Sequence, residues 1–119
     1  REMFVDNDRL YFTNWNTKDV KYLDLFNYKI EKLVDLNGLP EGITKKGNDL
    51  FIAINMNEDY SSSNKIVRYD INQNILVEEI EVGYGPQDLE FKNNDLFKAN
   101  RVSRTSRAQR ASTFRRLFC

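Results

Sequence analysis

The sequence predicts an all-β fold: two four-stranded antiparallel blades of a β-propeller, part of a third, and an irregular basic C-terminal tail. Three observations predict it. Short runs of Val, Ile, Leu, Tyr and Phe alternate with Asn, Asp, Gly and Ser turn residues, the pattern of brief strands joined by tight connections. No window of about eleven or more residues in 1–100 keeps an i, i+3, i+4, i+7 apolar stripe as well as these runs keep theirs. The chain also repeats itself. A shift of 46 residues pairs Val20 with Ile66, Asp24 with Asp70, Leu25 with Ile71, Pro40 with Pro86 and Leu50 with Leu96. Upstream the shift falls to 40, pairing Met3 with Ile43, Leu10 with Leu50 and Tyr11 with Phe51.

The six-residue difference lies in the polar stretch "NMNEDYSSSN" (55–64), so one unit is about 40 residues and the second carries a longer loop. The units span about 3–42, 43–88 and 89–100, with residues 101–119 as the tail. Each unit reads as four strands: A (about 41–46 and 88–92), B (10–15, 50–54 and 96–99), C (20–25 and 66–71) and D (30–36 and 75–82). "KGND" and "KNND" turn A into B, because Gly and Asn tolerate positive φ. Asp24 and Asp70 follow strand C, where a short carboxylate can bond the backbone of a turn. Pro40 and Pro86 stiffen the connection from D to A in "LVDLNGLPEGI" and "EIEVGYGPQDL". Leu10, Phe12, Leu50, Ile52, Leu89, Phe91 and Leu96 are expected to be buried between successive sheets. A β-sandwich with accidentally similar halves is the alternative, but so many equivalent positions at one offset speak against it.

"YFTNW" (11–15), followed by "VKYLDL" and "GLPEGI", resembles the 40-residue YVTN-type propeller repeat. The second unit repeats it as "FIAIN", "IVRYDI" and "VGYGPQDL", and a third begins at "NNDLFKAN". The resemblance covers roughly residues 3–100. Ile54 replaces the motif's Asn in unit two, and Lys98 breaks the apolar run in unit three. It implies a propeller, and it implies export to the periplasm or beyond the cell. Such repeats occur in bacterial exported propellers, archaeal surface-layer proteins and the propellers of some redox enzymes.

Composition removes several kinds of chemistry. The chain contains no histidine, which excludes histidine bases, Ser-His-Asp triads and the usual zinc or copper sites. Its one cysteine, Cys119, forms no intrachain disulfide. "VGYGPQ" lacks the strand–GxGxxG–helix setting of a dinucleotide site. Asn55, Asn57, Asp59 and Ser61 alternate like the start of a calcium loop, but Tyr60 stands where such a loop needs Gly and Ile66 where it needs Glu. No catalytic set, metal set or cofactor is therefore assigned.

Antiparallel order places the B–C loops and D–A turns on one face, where polar loops converge over a rigid scaffold. Ligand contacts are expected there, from Trp15, Asn16, Glu41, Asn57, Asp59, Gln87 and Asp88. The leading reading is a binding or scaffold propeller for a small molecule or protein. Its partners would be further blades, or a second copy through exposed sheet faces. The alternatives are a propeller domain of a larger exported enzyme and a nucleic-acid-binding propeller.

The neutral total of 18 basic and 18 acidic residues hides an asymmetry. Residues 1–100 hold 12 Lys and Arg against 18 Asp and Glu, while residues 101–119 hold six arginines and no acid. The tail matches no further unit: position 112 should be aliphatic and 116 acidic, yet they are Ser112 and Arg116. It reads as adventitious or disordered sequence, or as a basic arm with Arg101, Arg104, Arg107 and Arg110 on nucleic-acid phosphates.

Overall fold

The computed structural model describes residues 1–100 and 108–113. They contain eleven strands and, among the described residues, no helix. The first sheet holds β1 (Met3–Asp6), β2 (Arg9–Asn14), β3 (Asp19–Asp24) and β4 (Ile30–Asp35) in that spatial order. The second repeats it with β5 (Leu39–Lys46), β6 (Asp49–Met56), β7 (Ser62–Asp70) and β8 (Ile75–Glu81). The third has β9 (Pro86–Lys92), β10 (Asp95–Asn100) and β11 (Ala108–Thr113). All pairings are antiparallel between strands consecutive in the chain. These are two propeller blades and part of a third, with strands at the positions of the sequence units.

One element departs from the expected outline. Six residues of the tail, 108–113, pair with β10 as a third strand of the last sheet. The sequence criterion had asked for aliphatic and acidic side chains, whereas an open strand edge needs only backbone N–H and C=O groups. Arg101, Arg104 and Arg107 lie outside the described residues, and of Arg110 only the backbone, within β11, is described.

Turn chemistry repeats from blade to blade. The A–B turns place Asn7, Gly47 and Asn93, equivalent positions of the three units, at φ 55°, 59° and 57°. After β3, Asp24 Oδ1 accepts the N–H of Phe26 at 2.8 Å and of Asn27 at 3.3 Å. After β7, Asp70 Oδ1 accepts those of Asn72 at 2.9 Å and Gln73 at 3.1 Å. The recurrent aspartates therefore build turns, as their position after strand C led one to expect.

The core lies between the sheets. Tyr11 and Val20 of the first blade meet Leu50, Ile52, Ile54, Val67 and Tyr69 of the second. On the opposite face of the second blade, Phe51 and Ile66 meet Leu96, with Leu89 and Phe91 at the margin and the Phe51 and Phe91 rings edge to face. Leu50, Ile52 and Leu96 are fully buried as expected. Leu10, Phe12, Leu89 and Phe91 are only partly so. Alternation along β2 explains the first pair: Tyr11 and Thr13 point at the second blade, so Leu10 and Phe12 point away from it. Met3, Val5 and Ile30, at 67%, 58% and 61% exposure, share that outer face with them.

The first strands of successive blades approach closely. A Cβ on Gly42 would stand 2.0 Å from the carbonyl oxygen of Gln87, so only glycine lets β5 and β9 meet there. Gly42→Ala should cost about 1–3 kcal/mol in urea unfolding, as overpacking does. Gly47→Asn should stay within about 0.5 kcal/mol, because asparagine already holds that turn in the other two units. Equal losses in both variants would show that the β5–β9 contact is not tight.

Candidate functional site

The site begins with a buried threonine. Thr13, 1% exposed near the end of β2, donates its hydroxyl to the Glu41 carbonyl at 2.8 Å and accepts the Glu2 N–H at 3.0 Å. This fixes the start of β5 against the end of β2 and brings Glu41 to the B–C/D–A end of the molecule. The Glu41 side chain is 3% exposed, so its carboxylate needs a cation and donors. Arg1 supplies both, with Nη2 at 2.7 Å and Nε at 2.9 Å from Oε1. The same guanidinium lies 4.1 Å from the centre of the Trp15 ring. The bond to Glu41 holds the guanidinium of Arg1 protonated beyond its ordinary range.

These three side chains form one wall of a cleft of about 340 Å³ that Asn55, Ser62 and Gln87 complete. Its backbone is well fixed. Asn14 Oδ1 accepts the Asn16 N–H at 2.9 Å and shapes the turn behind Trp15. Asn55 Nδ2 donates to the Pro86 carbonyl at 3.2 Å, tying the second blade to the third, and the Gly85 N–H bonds the Ser63 carbonyl at 2.8 Å. Two buried groups beside the cleft, Trp15 Nε1 and Ser63 Oγ, have no hydrogen-bond partner among the described residues.

Of the residues expected to bind a ligand, Trp15, Glu41 and Gln87 come together here. Asn16 is exposed and outside the cleft. Asn57 and Asp59 belong to the β6–β7 turn, which bonds to itself: the Asn57 N–H reaches the Ser61 carbonyl at 2.8 Å, and Asp59 Oδ1 accepts the Ser61 N–H at 3.0 Å. The Ser61 hydroxyl also donates to Asp59 and holds its carboxyl below the usual range. Among the described residues no cluster of acidic residues could hold a metal ion. Asp88 faces a separate groove along the first strands of the blades, with Glu2, Gly42 and Glu90. Sequence reasoning missed Arg1, Asn55 and Ser62. Arg1 had a signal: it is the equivalent of Glu41 at offset 40, as Gln87 is at offset 46.

Burial first, then the charges of Asp88 and Glu41, raise the Glu2 carboxyl above the ordinary glutamate range. A raised carboxyl pKa means that the folded protein keeps a proton the unfolded chain has lost. That contribution favours folding at low pH and disappears as pH rises through the folded value. Glu2→Gln should therefore match the wild type in melting temperature below about pH 4 and gain on it as pH rises above the ordinary glutamate range. Parallel melting curves across that rise in pH would mean that Glu2 is not held in this field.

No protein-family model and no curated protein matches the chain. Solved structures do. The computationally designed Ika4 protein matches with a TM-score of 0.64 and 14% identity, over 92% of this chain and 64% of that one. Glutaminyl cyclase of Myxococcus xanthus matches with a TM-score of 0.67 and 14% identity, over 89% and 45% of the two chains. A chain of the nidogen/laminin complex matches with a TM-score of 0.67 and 15% identity, over 87% and 39%. The chain thus spans less than two thirds of each of these structures. The likeness is one of fold, and the neighbours include propeller-like folds.

Proposed function

We propose that this chain is a binding module whose ligand sits in the cleft at the B–C/D–A end. One observation carries this reading. Arg1, Glu41 and Gln87 occupy the same position in three successive units, yet they differ in chemistry and converge on one cleft with Trp15 and Asn55. A position used only to build blades tends to keep one kind of chemistry, as the recurrent aspartate after strand C does. Varied polar residues on a rigid repeat are what a recognition surface requires. Amide-resolved NMR with a mixed set of small polar fragments tests the reading. Shifts should cluster at Trp15, Asn55 and Gln87 and weaken in Trp15→Ala. Shifts confined to the outer face of the first blade would overturn it.

The scaffold role has its own support. Leu10, Phe12 and Leu23 on the outer face of the first blade are the repeat equivalents of Leu50, Ile52 and Tyr69, with which the second blade covers the first. That face is built to receive a further blade of the same repeat. Burying one such side chain is worth roughly 1.5–3 kcal/mol, so a bare face favours association. Light scattering after size exclusion should show the 119-residue chain above its 14.1 kDa monomer mass, with Phe12→Glu shifting it downward. A monodisperse wild-type monomer with cooperative unfolding would refute this.

A further inference from the structure

We propose that the cleft takes a neutral polyhydroxylated ligand, a sugar ring or short oligosaccharide, an assignment that rests on reading the cleft as a binding site. Three features of the cleft lead there. The first is charge. Arg1 and Glu41 neutralise each other within the wall at 2.7 Å, and the Arg1 α-ammonium is engaged by the Thr13 carbonyl, so no lining side chain offers an unpaired charge to an ionic ligand. Glu2 and Asp88 nearby add negative potential, which disfavours an anion. A cation would have to displace the guanidinium that the chain itself keeps on Trp15 and Glu41.

The second feature is unused hydrogen-bonding capacity of mixed sign. Both contacts from Arg1 go to one oxygen of Glu41 by way of Nε and Nη2, so Nη1 has no partner among the described residues. The Gln87 amide and the Ser62 hydroxyl can donate and accept, and they make no side-chain hydrogen bond among the described residues. Hydroxyl groups, which also donate and accept, can pair with every member of this set, whereas a carboxylate cannot donate and an ammonium cannot accept. Planar groups locked by a buried carboxylate and a ring are preorganised for such contacts, which lowers the entropy cost of binding.

The third feature is shape and surface. At about 340 Å³ the cleft falls at the small end of ligand pockets. Met56 and the part of the Trp15 indole that Arg1 leaves uncovered give it an apolar component beside the polar groups, against which the C–H groups of a sugar ring can lie.

Trp15 is the only tryptophan of the chain, so its fluorescence reports on this cleft alone. The 119-residue chain would be titrated with glucose, mannose and cellobiose, and in parallel with galacturonate, glucosamine and arginine. A saturable change is expected with at least one neutral sugar, about tenfold weaker in Gln87→Ala, the loss of one good hydrogen bond. Saturation by only a charged probe overturns the neutral assignment and leaves the binding reading intact. Neutral-sugar binding unchanged in Gln87→Ala puts the sugar elsewhere and overturns it too. No saturation with any probe, while small fragments still shift the amides of the cleft, overturns the sugar assignment alone. Failure of both experiments removes the binding reading with it.

Discussion

The middle sheet must be buried on both faces, and the rest of the structure depends on that. In β6 every residue from Asp49 to Ile54 is buried. Leu50, Ile52 and Ile54 turn toward the first blade, and Phe51 turns toward the third. A strand covered on both sides reads as a continuous apolar run, here "LFIAI", and loses stability if either neighbour is removed. Neighbouring sheets must then stack face to face. Glycine is needed at residue 42 because the first strands of two blades are drawn together at the same time.

Stacking sheets in this way forces polar groups into the seams, and each seam carries direct bonds across it. Thr13 bonds the Glu41 carbonyl, Lys45 pairs with Asp6, and the Tyr69 hydroxyl bonds the Leu33 carbonyl at 3.4 Å between the first and second blades. Asn55 bonds the Pro86 carbonyl, and the Lys46 ammonium bonds that of Asn93 at 2.7 Å, between the second and third. Within the second blade, Arg68 reaches Asp49 at 2.6 Å and Glu78 at 3.2 Å. A buried carboxylate left without its cation is costly, so such pairs specify one seam geometry more than they add to stability. Burial also pushes the Lys98 ammonium below the ordinary lysine range.

The candidate cleft is a by-product of the same geometry. At one end of the sheets the seams open where the B–C loops and D–A turns meet, and the groups there have not been used up in holding sheets together. Arg1, Glu41 and Asn55 are the exceptions. The Arg1–Glu41 ion pair closes the first seam at its rim, and with one partner half exposed its strength is that of a partly screened pair. Its larger consequence is positional, since it holds a guanidinium over the Trp15 ring at the wall of the cleft.

The sequence by itself determined the strands, their order, the turns and the length of the repeat. Those features follow from local rules, namely apolar alternation, positive-φ residues at Asn7, Gly47 and Asn93, and carboxylates that close turns at Asp24 and Asp70. It also placed Trp15, Glu41 and Gln87 at the same end of the molecule, because antiparallel order fixes which loops share a face. Tertiary structure alone decided which of them meet. Arg1, Trp15, Asn55 and Gln87 are far apart in the chain, and their convergence depends on the angle and spacing of three sheets, which no local pattern encodes. For the same reason Asp88 turned into the groove of the first strands, and the loop at Asn57 and Asp59 satisfied its own polar groups instead of reaching a neighbour. The pairing of β11 was likewise decided by an open backbone edge on β10, whose hydrogen bonds are indifferent to the side chains that mark a repeat.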